Sequence, residues 1–138
     1  MTFPAPREFE GKVAVVTGGG AGVGFAIARA FAREGARVAI AGRTEATLTP
    51  AAEKIEEECG RPVLPIMADV AEAADCERLI ATTVDKLGAV DILVNNAALF
   101  AVLPLIDADA AEAARFLAVN AIGPLNAARA AQRRCCSS

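Results

Sequence analysis

The 138-residue chain contains no histidine, no tyrosine and no tryptophan, and its only serines are Ser137 and Ser138. Without histidine there is no imidazole base, no Ser-His or Cys-His nucleophilic pair and no histidine-ligated zinc. Without tyrosine, no phenol serves as an acid or base. Positive charge is also short: 14 Lys plus Arg stand against 17 Asp plus Glu, a net charge of -3. That balance argues against sequence-independent nucleic-acid binding, which depends on many cationic contacts to phosphate. No apolar run reaches the ~18 residues of a membrane span. The amino end carries Pro4, Pro6, Glu8 and Glu10 and does not read as a signal peptide. Cys59, Cys76, Cys135 and Cys136 form no C-x-x-C pair and no secreted framework. Metal and thioredoxin-like chemistry therefore lack support, and free thiols in a reducing cytoplasm are expected.

What is present suits a folded chain of one domain: 54% of residues are hydrophobic and 22% charged. Short apolar runs alternate with longer amphipathic stretches, the pattern of a parallel sheet flanked by helices. Strands are expected at 12–16, 37–41, 63–67 and 90–94, the first apolar enough to be covered on both faces. Pro65 places the third at a sheet edge. The first helix has its apolar period at Val23, Ile27, Ala30 and Phe31 and stops at Gly35. A second runs over 45–59, with Thr44 as N-cap and Gly60 closing it. Asp69 and Glu72 have capping-box spacing ahead of a third helix ending about Leu87, and Asp109 and Glu112 repeat it before a last helix over about 110–131. Right-handed crossovers then give one doubly wound α/β sheet of strand order 3-2-1-4. Residues 1–10 read as an extension, 11–131 as the domain and 132–138 as an irregular tail.

The informative segment is Thr17-Gly18-Gly19-Gly20-Ala21-Gly22-Val23-Gly24, between the first strand and its helix. Glycines there let backbone approach a pyrophosphate, whose charge the helix's first N–H groups face. The nucleotide-triphosphate loop needs Gly-Lys-Ser/Thr at its end, but Phe25 follows Gly24. G-x-G-x-x-G fails in every register. T-G-x-x-x-G-x-G fits, as Thr17, Gly18, Gly22 and Gly24.

With that loop the chain resembles the short-chain dehydrogenase/reductase family, on its ordinary rather than extended branch. Asp69-Val70 stands where the family's Asp contacts adenine, and Asn95-Asn96-Ala97 closes the fourth strand as N-N-A-G does. Val119-Asn120 matches the helix Asn of the catalytic tetrad, followed by Gly123-Pro124. Ala98 departs from the motif's glycine. The likeness spans about residues 11–128 and implies a Rossmann-like fold holding NADP or NAD. By resemblance Thr17, Gly18, Gly20, Gly22, Val23, Gly24, Asp69, Val70, Asn96 and Ala97 bind the cofactor, and Asn120 belongs to the catalytic set. At the end of the second strand there is no carboxylate to favour NAD. Arg43 stands there instead, either as partner of a 2′-phosphate, making NADP the preferred cofactor, or as a solvated strand-end residue. Asp69 also reads as a helix cap, Asn95 and Asn96 as strand-end polar groups, and Asn120 as a packed side chain beside a kink. Pro124 lacks the N–H that would bond the Asn120 carbonyl, which predicts a local bend; in the family that carbonyl resembles a water anchor in a proton relay.

The family's Ser, Tyr and Lys have no counterpart, and the chain stops before a fifth strand. The resemblance thus implies the amino-terminal, cofactor-binding part of an enzyme that moves hydride between a nicotinamide and a secondary alcohol or ketone. This part alone is expected to be inactive. The alternative is a non-catalytic dinucleotide-binding or sensor module of the same fold. A methyltransferase-type domain ranks below both, for want of an acidic residue near Gly42–Arg43. The expected partners are a dinucleotide, a small carbonyl or alcohol substrate and, in a complete relative, a second copy of the chain; nucleic acid, membrane and metal are not expected. Leu99, Phe100 and Leu103 hint at a greasy substrate, though loop packing explains them as well. An unpaired fourth strand would leave an apolar edge wet, so marginal stability is expected.

Overall fold

A computed structural model describes residues 7–135. Four parallel strands, β1 (Val13–Thr17), β2 (Arg37–Gly42), β3 (Val63–Met67) and β4 (Ile92–Val94), form one sheet of order β3-β2-β1-β4. Val15 lies opposite Ala39 on one side and Leu93 on the other. All five residues of β1 are buried, as expected of a strand covered on both faces. Pro65 sits in the edge strand β3, exposed and in register with Ile40. There its missing N–H costs no ladder bond.

Helices α1 (Gly22–Arg33) and α2 (Glu45–Cys59) cover one face, where Ala14, Val16, Val38 and Ile40 meet Ala28, Leu48 and Ile55. On the other face Val15, Ala39 and Ala41 meet Leu79 and Ile80 of α3 (Ala73–Leu87) and Ala127 and Ala130 of α5 (Gly123–Cys135). Between β4 and α5 the chain passes through residues 95–109, then α4 (Ala110–Leu117) and a π-helical turn, Ala118–Ile122. The bend expected near Pro124 takes that form. Asp109 caps α4 as its spacing predicts, its carboxylate accepting from the Glu112 N–H at 2.7 Å.

Three local expectations are corrected. The fully buried stripe of α1 is Gly24, Ala28 and Ala32; of the expected series Ile27 and Phe31 pack half-buried against the same core, whereas Val23 is 69% exposed and Ala30 is exposed too. Thr44 at the N-cap and Gly60 at the C-cap of α2 are where the sequence placed them, although the Thr44 hydroxyl makes no cap bond and Thr47 donates to the Thr44 carbonyl. The cap of α3 is Glu72, so Asp69 lies one turn too early to be that cap. The last helix runs past Ala131 to Cys135, because its small face packs on α3 and Arg133 reaches Glu77. At the other end, Phe9 packs edge-on against Phe31 at 4.9 Å and Glu10 pairs with Arg61, so residues 7–10 are docked on the domain. The rest of the expected extension and tail, 1–6 and 136–138, lies outside the described residues.

Candidate functional site

At the carboxyl ends of the strands a cleft of about 150 Å³ opens, walled by residues 41–43, 68–70 and 97–99, with Gly18 and Val119 completing it. This is where open α/β sheets place their ligands, at the point beside β1 where the strand order reverses. Of the expected cofactor-binding residues, Gly18, Arg43, Asp69, Val70 and Ala97 line it, as do Ala98 and Leu99.

The glycine loop is built by close approach. Gly18 has a left-handed φ of +67°, and a Cβ there would lie 2.8 Å from the Asn96 Nδ2 and 3.0 Å from the Ala97 Cα. A Cβ on Gly24 would overlap the Gly18 carbonyl oxygen and the Asn96 side-chain nitrogen. The helix therefore starts against the loop, with backbone in the space a side chain would fill. Its cap residue, Ala21, has no side chain able to accept from the first-turn N–H groups. Uncapped amides at a helix start are an anion-binding arrangement, so the residues present fit a dinucleotide's diphosphate. Gly20 and Gly22 border a second, open hollow of about 350 Å³ between α1 and α2, together with Thr47 and Lys54. Val23 lines neither space.

Thr17 and Asn96 stand behind the cleft rather than in it. Thr17 is buried; its hydroxyl donates to the Val94 carbonyl at 3.3 Å and accepts the N–H groups of Asn96 and Ala97 at 3.0 and 3.1 Å. The Asn96 amide donates to the carbonyls of Thr17 and Gly18 at 3.1 and 3.3 Å. These bonds lock the end of β4 to the glycine loop. At the lip, Arg43 is exposed and forms no ion pair among the described residues. Opposite the loop, Asp69 accepts the Ala71 N–H at 3.0 Å, while its own N–H donates to Asp75 at 2.8 Å. That backbone bond, with Arg78 beside it, holds the Asp75 carboxyl below the usual carboxylate range. Burial, reinforced by the neighbouring Asp75, Asp69 and Glu77, pushes the fully buried Cys76 thiol up to about 11.

Asn120 sits in the π-helical turn with its side chain committed: it accepts the Leu99 N–H at 2.7 Å and donates to the Leu99 carbonyl at 2.8 Å. It thus fixes the third wall of the cleft. Val119, one residue earlier, faces the cleft directly.

Sequence reasoning missed three polar anchors. Asp91 accepts the Val13 N–H at 2.8 Å and sets the β1–β4 register; its signal was an acid immediately ahead of an apolar run. Asp75 holds Asp69, and its signal was capping-box spacing from Glu72 rather than from Asp69. Asn126 donates to the Val70 and Ala71 carbonyls at 3.0 and 3.4 Å, and was signalled by an amide on the small-residue face of the last helix.

A family model described as short chain dehydrogenase matches residues 12–136. The chain belongs to that family. It is 41% identical over 119 residues to a sorbitol dehydrogenase of Cereibacter sphaeroides, covering 86% of this chain and 44% of the relative. A short-chain type dehydrogenase/reductase from Mycobacterium marinum superposes with a TM-score of 0.87 at 33% identity, over 93% of this chain and 51% of that one. L-sorbose reductase from Gluconobacter frateurii, complexed with NADPH and L-sorbose, gives 0.86 at 30% identity, over 93% and 49%. The short-chain dehydrogenase chain thus spans about half the length of the relatives it matches. Among its described residues no helix is long and apolar enough to cross a membrane.

Proposed function

We propose that this chain is the dinucleotide-binding part of a short-chain oxidoreductase that moves hydride between a nicotinamide cofactor and a secondary alcohol or ketone. The observation that carries the reading is the glycine loop, which is packed onto Asn96, lines the cleft at Gly18 and leads into uncapped amides at the start of α1. The amides of Gly22, Val23 and Gly24 hold the diphosphate. Gly18 and Gly20 keep the loop low, and Thr17 and Asn96 keep it in place. Asp69 and Val70 bound the adenine, and Ala97 the ribose on the nicotinamide side. When bound, the cofactor supplies or accepts the hydride. Asn120 acts through its backbone carbonyl, which holds a water of the proton path, since Pro124 has no N–H to bond it; its side chain holds Leu99. The tyrosine that donates the proton in the family has no counterpart among these 138 residues, which include no tyrosine. The chain alone therefore binds without turning over. A cytoplasmic setting and self-association of the whole protein belong to the same proposal.

NADP is the preferred cofactor, because Arg43 is unpaired at the end of β2 and no carboxylate stands there to repel a 2′-phosphate. The NADPH of the Gluconobacter L-sorbose reductase structure is consistent with this. Calorimetric titration of folded chain with NADPH and NADH tests both statements. Charge-assisted bonds to phosphate make Arg43→Asp weaken NADPH binding by about tenfold or more, with a much smaller effect on NADH. Equal losses overturn the NADP preference, and no saturable uptake of either nucleotide overturns the function.

A further inference from the structure

The geometry points to Asn126 as a positioning residue for the adenine end of the cleft: with Gly123 it fixes Val70 from behind, and so sets how far that wall stands from Arg43 and Gly18. The inference rests on the dinucleotide reading of the cleft.

The loop joining β3 to α3 carries the cleft wall at residues 68–70 and is tied down at two points. From α3, Asp75 accepts the Asp69 N–H at 2.8 Å. From α5, the Asn126 amide donates to both the Val70 and the Ala71 carbonyl. The Val70 carbonyl also lies within 3.6 Å of the Cys76 thiol, so Asn126 supplies its one strong donor. Directly behind the Val70 side chain is Gly123: a Cβ there would come within 2.7 Å of the Val70 Cγ2 and 3.1 Å of its Cβ. Val70 is therefore clamped, its side chain between the cleft and a glycine, its carbonyl on an amide one helical turn further along. The same segment puts Val119 into the cleft, so Val119, Gly123 and Asn126 present one face to the wall. A purely stabilising amide would need neither the glycine contact nor a carbonyl belonging to a lining residue.

The test uses the full chain, with affinities measured well below each variant's unfolding transition so that lost stability does not enter. Asn126→Ala and Gly123→Ala are each expected to weaken NADPH and adenosine 2′,5′-bisphosphate alike, by roughly fivefold, the size of one net hydrogen bond. A structural role alone would lower the unfolding temperature and leave both affinities unchanged. Amide exchange without nucleotide gives a second readout: the Ala71 and Asp69 N–H groups should exchange faster in Asn126→Ala, while those of Val15 and Val16 do not. Wild-type chain that binds nucleotide alongside variants that bind equally well overturns the positioning role alone. Wild-type chain that binds neither probe removes the reading of the cleft, and this inference with it.

Discussion

Replacing Gly24 by alanine sets a helix gain against a backbone collision. In a solvated helix the change would stabilise by about 1 kcal/mol, since alanine loses less chain entropy than glycine. Here the added methyl overlaps the Gly18 carbonyl oxygen and the Asn96 amide nitrogen and lies 2.8 Å from the Gly18 carbonyl carbon. Two of these atoms are backbone, held by Asn96, by Thr17 and by the Gly18 N–H bond to the Ala41 carbonyl at 2.7 Å, so no flexible side chain can swing away. Overpacking of a well-ordered site costs about 1–3 kcal/mol, and a backbone obstacle puts this case at the upper end. Net destabilisation of about 2 kcal/mol is expected. The assay is urea unfolding followed by far-ultraviolet circular dichroism, because a chain without tryptophan or tyrosine offers little intrinsic fluorescence. Gly22→Ala is the control: φ is +56° with nothing within 4 Å, so only conformational strain of about 1 kcal/mol applies. A midpoint for Gly24→Ala equal to or above wild type, at unchanged slope, would refute the close-approach account.

The two perturbed groups give opposite pH signatures. The folded-state value of Asp75 is lowered, so its contribution is present above 3.8 and disappears as pH falls through the lower folded value. Stability curves of wild type and Asp75→Asn should accordingly converge in acid and separate above pH about 4. The Cys76 thiol is raised from 9.0 to about 11, so its contribution is complete below 9.0 and is lost as pH climbs toward 11. Wild type should lose stability over that window relative to Cys76→Ala. Native chain should also leave this thiol unlabelled by a maleimide that modifies it in urea.

The strands were legible because a buried parallel strand writes an uninterrupted apolar run; each lies within two residues of its expected bounds, and Pro65 marked the edge correctly. The glycine loop was legible for a related reason: a backbone crossing that tolerates no Cβ leaves a cluster of glycines in the sequence. Helix orientation was less so. The fully buried stripe on α1 is Gly24, Ala28 and Ala32, and small residues add little to a hydrophobic period, which followed Val23, Ile27 and Phe31 instead. Polar ties across the fold were hardest. Asn126 reaches 56 residues back to Val70, and Asp91 reaches 78 back to Val13. A long-range hydrogen bond leaves no periodicity; only the topology brings its two ends together. Asn120 was found by its motif, but the bonds that commit its side chain to Leu99 depend on where residues 97–99 run, which no local pattern encodes.

The uneven cover of the sheet carries a last prediction. The three residues of β4 are only half buried, although β1 beside it is wholly buried. The segment that follows holds Phe100, Val102, Leu105 and Ile106 at 87–92% exposure, and Leu117, Ile122 and Leu125 are about half exposed or more. These side chains all come from residues 100–125, the stretch that leads from β4 into α5. Each large apolar side chain kept in water forgoes about 1.5–3 kcal/mol, a large share of the 5–15 kcal/mol that holds an ordinary domain together. The chain by itself should therefore unfold below about 60 °C, near the top of the usual mesophile range. Its transition should move upward with protein concentration, because burying this face against another copy is the available relief. Scanning calorimetry on dilute material, with sedimentation to establish that it is monomeric, decides the matter. A cooperative monomer transition above 60 °C would mean that the two cores on either face of β1 suffice without any cover beyond β4.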